Sequence, residues 1–123
     1  MKISFWLYCS NLEMSFGFYQ KVFNLKTETF AHTQKTFFVP IGNHAELKIS
    51  TIQKPVNEAN VEINEAAVDE LYNTFIQNQL SQSHESDVTK MPSGTFSGPW
   101  DYPGGKALFL KDPDNHFIVF MEW

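Results

Sequence analysis

The chain has 123 residues, 42% of them hydrophobic, and a formal net charge of −5. That is enough apolar material for one packed domain, or two half-size modules sharing a core, and it excludes a disordered chain. Lys and Arg are the minority and form no basic run, which excludes nucleic acid as a partner because a phosphate backbone would be repelled.

Residues 2–9 read as a strand. The start "MKISFWLYCS" places a lysine before an apolar run of about half a dozen residues broken by Ser4, too short for the core of a secretory leader. The single cysteine, Cys9, cannot close an internal disulfide and is expected as a small buried residue, with a reducing cytoplasm as the setting. At Ser10 the pattern changes. Ser10 followed by Glu13 forms a capping box, and Leu12, Phe16, Tyr19 and Phe23 recur at helical spacing, with Gly17 inside the helix as a candidate for close packing on a sheet. Phe30 and the run Phe37-Phe38-Val39 predict two short strands, and Leu47, Ile49 and Ile52 a third after the turn at Gly42-Asn43-His44.

From "TIQKPVNEAN" the composition turns polar and reads as a linker over about 53–58, after which the order restarts. "ANVEIN" alternates as a strand. Val68, Leu71, Tyr72, Phe75 and Ile76 place an apolar stripe on a helix over about 66–79. A strand near 84–91, a Pro/Gly-rich loop "MPSGTFSGPWDYPGG" and two terminal strands follow, the last two joined by a turn at Asp112-Pro113-Asp114-Asn115 that accounts for both aspartates. Strand, helix and three strands therefore occur twice, in modules of about 1–52 and 59–123. The fold class is α+β, two βαβββ modules whose mixed sheets form a cleft. No segment reaches the roughly 18 apolar residues of a membrane span.

In order and spacing, the first strand leading to "NLEMSFGFYQKVFNLK", the second leading to "EAAVDELYNTF" and the ending "FLKDPDNHFIVF" resemble the vicinal oxygen chelate superfamily, which contains glyoxalase I, bleomycin-resistance proteins, fosfomycin-resistance enzymes and extradiol dioxygenases. The resemblance covers nearly the whole chain as a single domain of that kind. It implies, in the metal-dependent members, a ligand on the first strand of each half, usually His, and a Glu between two apolar residues on the last. Those positions fall here on Ser4 and Asn60, and on Lys48 (Glu46 in a shifted register) and Val119. Such a set offers at most one ligand where a transition metal wants three or four His, Cys or carboxylate groups, so neither metal nor other cofactor is expected. His44 and His116 stand at equivalent turns, where surface or capping roles are the ordinary reading; His32 and His84 lie in polar surroundings.

Strand alternation then fixes an expected lining for the cleft. Ser4 brings Trp6 and Tyr8, leaving Phe5, Leu7 and Cys9 beneath the helix; Asn60 brings Glu62 and Asn64. Val119 brings Phe117 and Met121, and Lys48 brings Glu46, with Trp100 from the long loop as a lid. Aromatic faces beside carboxylates suit a flat or cationic organic molecule; the plainer reading makes Trp6 and Tyr8 core and the two glutamates solvated. The function expected is metal-independent binding of an aromatic or cationic small molecule by a homodimer. The alternative is a glyoxalase-like lyase, isomerase or dioxygenase with an atypical metal site or with Glu46 or Glu62 as general base, and an interaction module without a ligand is a third reading.

Overall fold

Asn11, one residue after the expected cap, starts the first helix: in a computed structural model that describes residues 1–26 and 35–123, its side chain accepts the Met14 N–H at 3.0 Å. An extended Asn at this point satisfies one of the helix's unpaired donors as well as Ser10 would, and one position closer to it. The described residues form two compact units, Met1–Asn57 and Glu58–Trp123.

In the first unit, strand β1 (Ile3–Tyr8) leads to helix α1 (Leu12–Phe23), then to β2 (Thr36–Ile41) and β3 (Ala45–Ser50). The sheet order is β1-β3-β2, with β1 parallel and β2 antiparallel to β3. Expectations at Phe30 and His32 lie outside the described residues. The buried stripe of α1 is Ser15, Phe18, Tyr19 and Val22, rotated from the expected one because buried Ser15 takes a core position that hydrophobicity alone assigns to solvent. Leu12, Phe16 and Phe23 flank that stripe, Phe16 meeting Phe37 edge-on at 5.3 Å.

Leu7 and Cys9 are buried as expected, but Phe5 is 48% exposed. The correction follows from topology: β1 and β2 are the two edge strands of this sheet, and α1 packs chiefly on β2 and on the central β3, leaving the start of β1 uncovered. Ile52 lies beyond β3 and is exposed. Gly17 is not a close-packing position either, since a Cβ there meets nothing within 4 Å.

In the second unit, β4 (Asn60–Ile63) and helix α2 (Val68–Gln77) are followed by a three-residue strand β5 (Ser81–Ser83), a single 3-10 turn (Val88–Lys90), β6 (Thr95–Tyr102), β7 (Gly105–Lys111) and β8 (Phe117–Glu122). The order is β4-β8-β7-β6-β5. Two expectations are corrected here: residues 84–91 hold the 3-10 turn and no strand, and the Pro/Gly-rich stretch contains β6. Gly98 and Pro99 concealed that strand. They sit where the pairing with β7 shifts between Ser97 and Trp100, and Pro99, lacking an N–H, is tolerated at such an irregularity. Gly98 adopts φ +111, and a Cβ there would stand 3.0 Å from the Ala107 carbonyl oxygen.

Distant residues close the second unit. No side chain of Ala67 caps α2; Glu122 on β8 does so, accepting the Val68 N–H at 3.2 Å. His116 is buried at 2% exposure, against the surface role expected of a turn histidine, because its Nδ1 accepts the Ala59 N–H at 2.9 Å and so joins the β7–β8 turn to the start of β4. Asp112, also buried, accepts the N–H groups of Asp114 and His116 at 2.9 Å each through Oδ1.

Two glycine substitutions are expected to act in opposite directions. Gly17→Ala adds a methyl group in open space within a helix and should stabilise by about 0.5–1 kcal/mol. Gly105→Ala drives a methyl into the Glu122 carbonyl and should destabilise by about 1–3 kcal/mol. Urea unfolding of both variants checks the pair of signs.

Candidate functional site

β7 and β8 carry apolar side chains on both faces, so this sheet needs two covers. Leu108, Leu110, Ile118 and Phe120 take one face with α2, where Phe75 meets Phe120 at 6.1 Å and Phe96 of β6 at 5.2 Å. On the other face Ala107, Phe109 and Met121 form a second core with Met91, flanked by Val88, Trp100, Phe117 and Val119. Lys111, at the end of β7, donates its ammonium to the carbonyls of Val88 at 2.7 Å and Met91 at 3.1 Å, fastening the segment around the 3-10 turn over part of that face.

The part left uncovered is a pocket of about 520 Å³. Four of its lining residues are aromatic: Tyr102, Phe109, Phe117 and Trp123. Tyr102 and Phe117 stand edge-on to Phe109 at 6.4 and 5.6 Å. Val119 and Met121 contribute apolar surface, and two carboxylates, Glu62 and Asp87, line the same pocket.

Both carboxylates are held. Trp123 Nε1 donates to Asn64 Oδ1 at 2.9 Å, and Asn64 Nδ2 donates to Glu62 Oε2 at 3.1 Å, so the terminal indole and the acid are positioned together. Asp87 Oδ1 accepts from the Thr89 hydroxyl at 2.7 Å and from the Thr89 N–H at 3.0 Å. Those bonds, the hydroxyl first, lower the Asp87 pKa below the usual aspartate value.

The residues expected to line a site divide between the units. Glu62, Phe117, Val119 and Met121 come together in this pocket, and Asn60 lies in an adjoining hollow that shares Phe117. Trp100 is corrected: it belongs to β6, where it packs on the second core and donates Nε1 to Ser97 Oγ at 2.8 Å, so it is no loop-borne lid. In the first unit Trp6 and Tyr8 stack at 6.1 Å, and Lys48 lies 5.1 Å from the Trp6 ring and 5.5 Å from Phe38. Glu46 accepts from Ser4 at 2.9 Å and pairs with Lys2 and Lys48 at 3.5 and 3.9 Å. Those groups satisfy one another. Sequence reasoning missed Tyr102, Phe109, Asp87 and Trp123; alternation could have found three of them, Phe109 on β7, Trp123 as the next step after Phe117, Val119 and Met121, and Tyr102 two residues after Trp100, whereas Asp87 had no signal.

Register settles the open question of the last strand in the first half. Ser4 pairs with Glu46 as Asn60 pairs with Phe117, and Trp6 with Lys48 as Glu62 with Val119, so Lys48 is the counterpart of Val119. Ser4, Lys48, Asn60 and Val119 do not fit a divalent metal, and among the described residues no three His, Cys, Asp or Glu side chains are grouped to hold one. His44 and His84 are exposed, while the Nδ1 lone pair of His116 is engaged by Ala59. Glu62 is exposed on β4. No described helix is long and apolar enough to cross a membrane.

No protein-family model matches the chain, and no curated protein matches it in sequence. Solved structures do match in fold. A glyoxalase/bleomycin-resistance protein from Catenulispora acidiphila is similar with a TM-score of 0.74 at 11% identity, covering 100% of this chain and 98% of that one. An antibiotic-binding protein from Streptomyces sp. CB03234 is similar with a TM-score of 0.67 at 16% identity, over 99% and 94% of the two chains. A lactoylglutathione lyase from Agrobacterium tumefaciens gives 0.63 at 16%, over 99% and 92%. The chain therefore has the glyoxalase/bleomycin-resistance fold, the fold that the sequence resemblance to the vicinal oxygen chelate superfamily implied.

Lys111→Met should destabilise the second unit by about 1.5–3 kcal/mol, because two carbonyls lose a charged donor, and amide exchange should accelerate around residues 88–91. The Asp87 contribution has the sign of a depressed acid: present above the unfolded value near about pH 4, lost as pH falls through the folded value. Thermal melts of wild type and Thr89→Val should differ by a constant margin above about pH 5 and converge in more acid solution.

Proposed function

We propose that the protein binds an aromatic, cationic small molecule in the pocket of the second unit, without a metal. The observation that carries this reading is the meeting of four aromatic side chains with Glu62 and Asp87 in one pocket of about 520 Å³. Aromatic faces attract a cation through their quadrupoles, and the carboxylates add negative charge to a lining that contains no lysine, Lys90 and Lys111 acting on Asp87 only from outside it. A pocket of this volume suits a drug-sized molecule, oriented by a few polar groups on an apolar wall. The antibiotic-binding protein of the same fold lends support by analogy alone.

Within this reading Glu62, Phe117, Val119 and Met121 contact the ligand together with Tyr102, Phe109, Asp87 and Trp123. Ser4, Trp6, Tyr8, Glu46 and Lys48 are not assigned to this ligand, since Lys48 already lies by the Trp6 ring and Glu46 already has two ammonium partners. The proposal extends to a homodimer in the cytoplasm. Ile3 and Phe5, 58% and 48% exposed on an edge strand, support self-association, and the single, buried cysteine Cys9 accords with a reducing compartment.

Fluorescence titration with thioflavin T, a cationic aromatic dye, and anilinonaphthalene sulfonate, an anionic one, tests the reading. Thioflavin T should bind at least tenfold more tightly, Glu62→Gln should weaken it by about 0.5–2 kcal/mol, and EDTA should leave it unchanged. Tighter binding of the anionic dye would contradict the ligand class, and about one tightly held metal per chain by elemental analysis would contradict metal independence.

A further inference from the structure

Beside the aromatic pocket lies a second hollow of about 480 Å³ of opposite chemistry. Glu58, Asn60, Thr89, Lys111 and Asn115 give it polar walls, and Val88 and Phe117 line both spaces and divide them. Its polar groups are not engaged with one another: the side chains of Glu58, Asn60 and Asn115 make no hydrogen bond to the described residues. Two amides offer donors and acceptors, Glu58 accepts, and Lys111, having given two N–H groups to Val88 and Met91, retains a third.

One cation and one anion leave the hollow without net charge, in contrast to the pocket beside it. Mixed donors and acceptors with no net charge match hydroxyl groups, which donate and accept at once, better than they match a phosphate, a carboxylate or an ammonium. The backbone places these groups firmly: the Ala59 N–H, between Glu58 and Asn60, is bonded to buried His116, and Asn115 sits at φ 67 in the Asp112 turn.

We infer that this hollow is a second binding compartment, one that takes an uncharged, hydroxyl-rich group such as a sugar or polyol, joined to the aromatic cation in the neighbouring pocket. The inference rests on the ligand class proposed above. The ligand it describes is bipartite, with its bridge passing the Val88–Phe117 divide. Phe117 then contacts both parts.

Three acridinium probes that share one fluorescent head and differ only in the tail, absent, propyl, or glucosyl on a three-carbon linker, test it by direct titration. The glucosyl probe should bind at least tenfold more tightly than the propyl probe. Asn60→Val, and Asn115→Gly, which keeps the left-handed backbone without strain, should remove that advantage and leave the affinity of the tailless probe unchanged. Equal binding of glucosyl and propyl probes, or an equal loss for all three probes in both variants, would overturn the inference. If the tailless head itself does not bind, the aromatic reading has failed, and the hollow is judged by methyl glucoside at millimolar concentration. Saturable shifts of the Asn60 and Asn115 side-chain amide signals would then support it, and their absence would overturn it.

Discussion

The grip of Lys111 on the carbonyls of Val88 and Met91 is the contact on which the second unit's chemistry depends. β7 and β8 are apolar on both faces, and α2 covers only one. A short polar segment could not lie on the other face unless its backbone carbonyls found a donor there, and a lysine at the strand's end supplies one with charge. With the 3-10 turn fastened in place, Val88 and Met91 close part of the second core, Asp87 and Thr89 come to stand at its edge, and the remaining gap becomes two compartments. The pocket is what this cover leaves open.

That origin explains the unequal halves. In the first unit Trp6, Phe38, Lys48 and Glu46 neutralise one another through ring–ammonium and ion-pair contacts of modest strength. In the second unit the acids are held chiefly by hydrogen bonds from neutral donors, Thr89 and Asn64, with Lys90 and Lys111 acting on Asp87 more weakly. The first unit thus carries a self-satisfied sheet face and the second an unsatisfied one, and the difference lies both in the side chains and in the longer, five-stranded second sheet with its 3-10 cover.

Much of the fold was legible because the signals are local. Apolar alternation found β1, β4, β7 and β8, helical spacing found α1 and α2, and the polar stretch near Pro55 marked the joint between two similar orders. What failed to read was non-local. β6 hides behind Gly98 and Pro99, whose placement at a pairing irregularity only the partner strand reveals. Ser15 looks like a surface residue until the helix is seated. His116 looks like turn material until β4 brings Ala59 to it. The expected first-strand and last-strand site positions were anchored by the family resemblance and extended by alternation; the same alternation carried one step further reaches Trp123, whereas Asp87 enters the pocket from a turn segment that no periodicity links to the strands.

The central claim is that a cationic aromatic molecule occupies the second unit's pocket, where Trp123 is tied through Asn64 to Glu62, and leaves the Trp6 face of the first unit alone. The three indole N–H signals of Trp6, Trp100 and Trp123 report on this directly in a nitrogen–proton correlation spectrum of the intact protein titrated with thioflavin T. The account predicts a saturable shift of the Trp123 signal with the Trp6 signal fixed. Movement of Trp6 with Trp123 unmoved would contradict it.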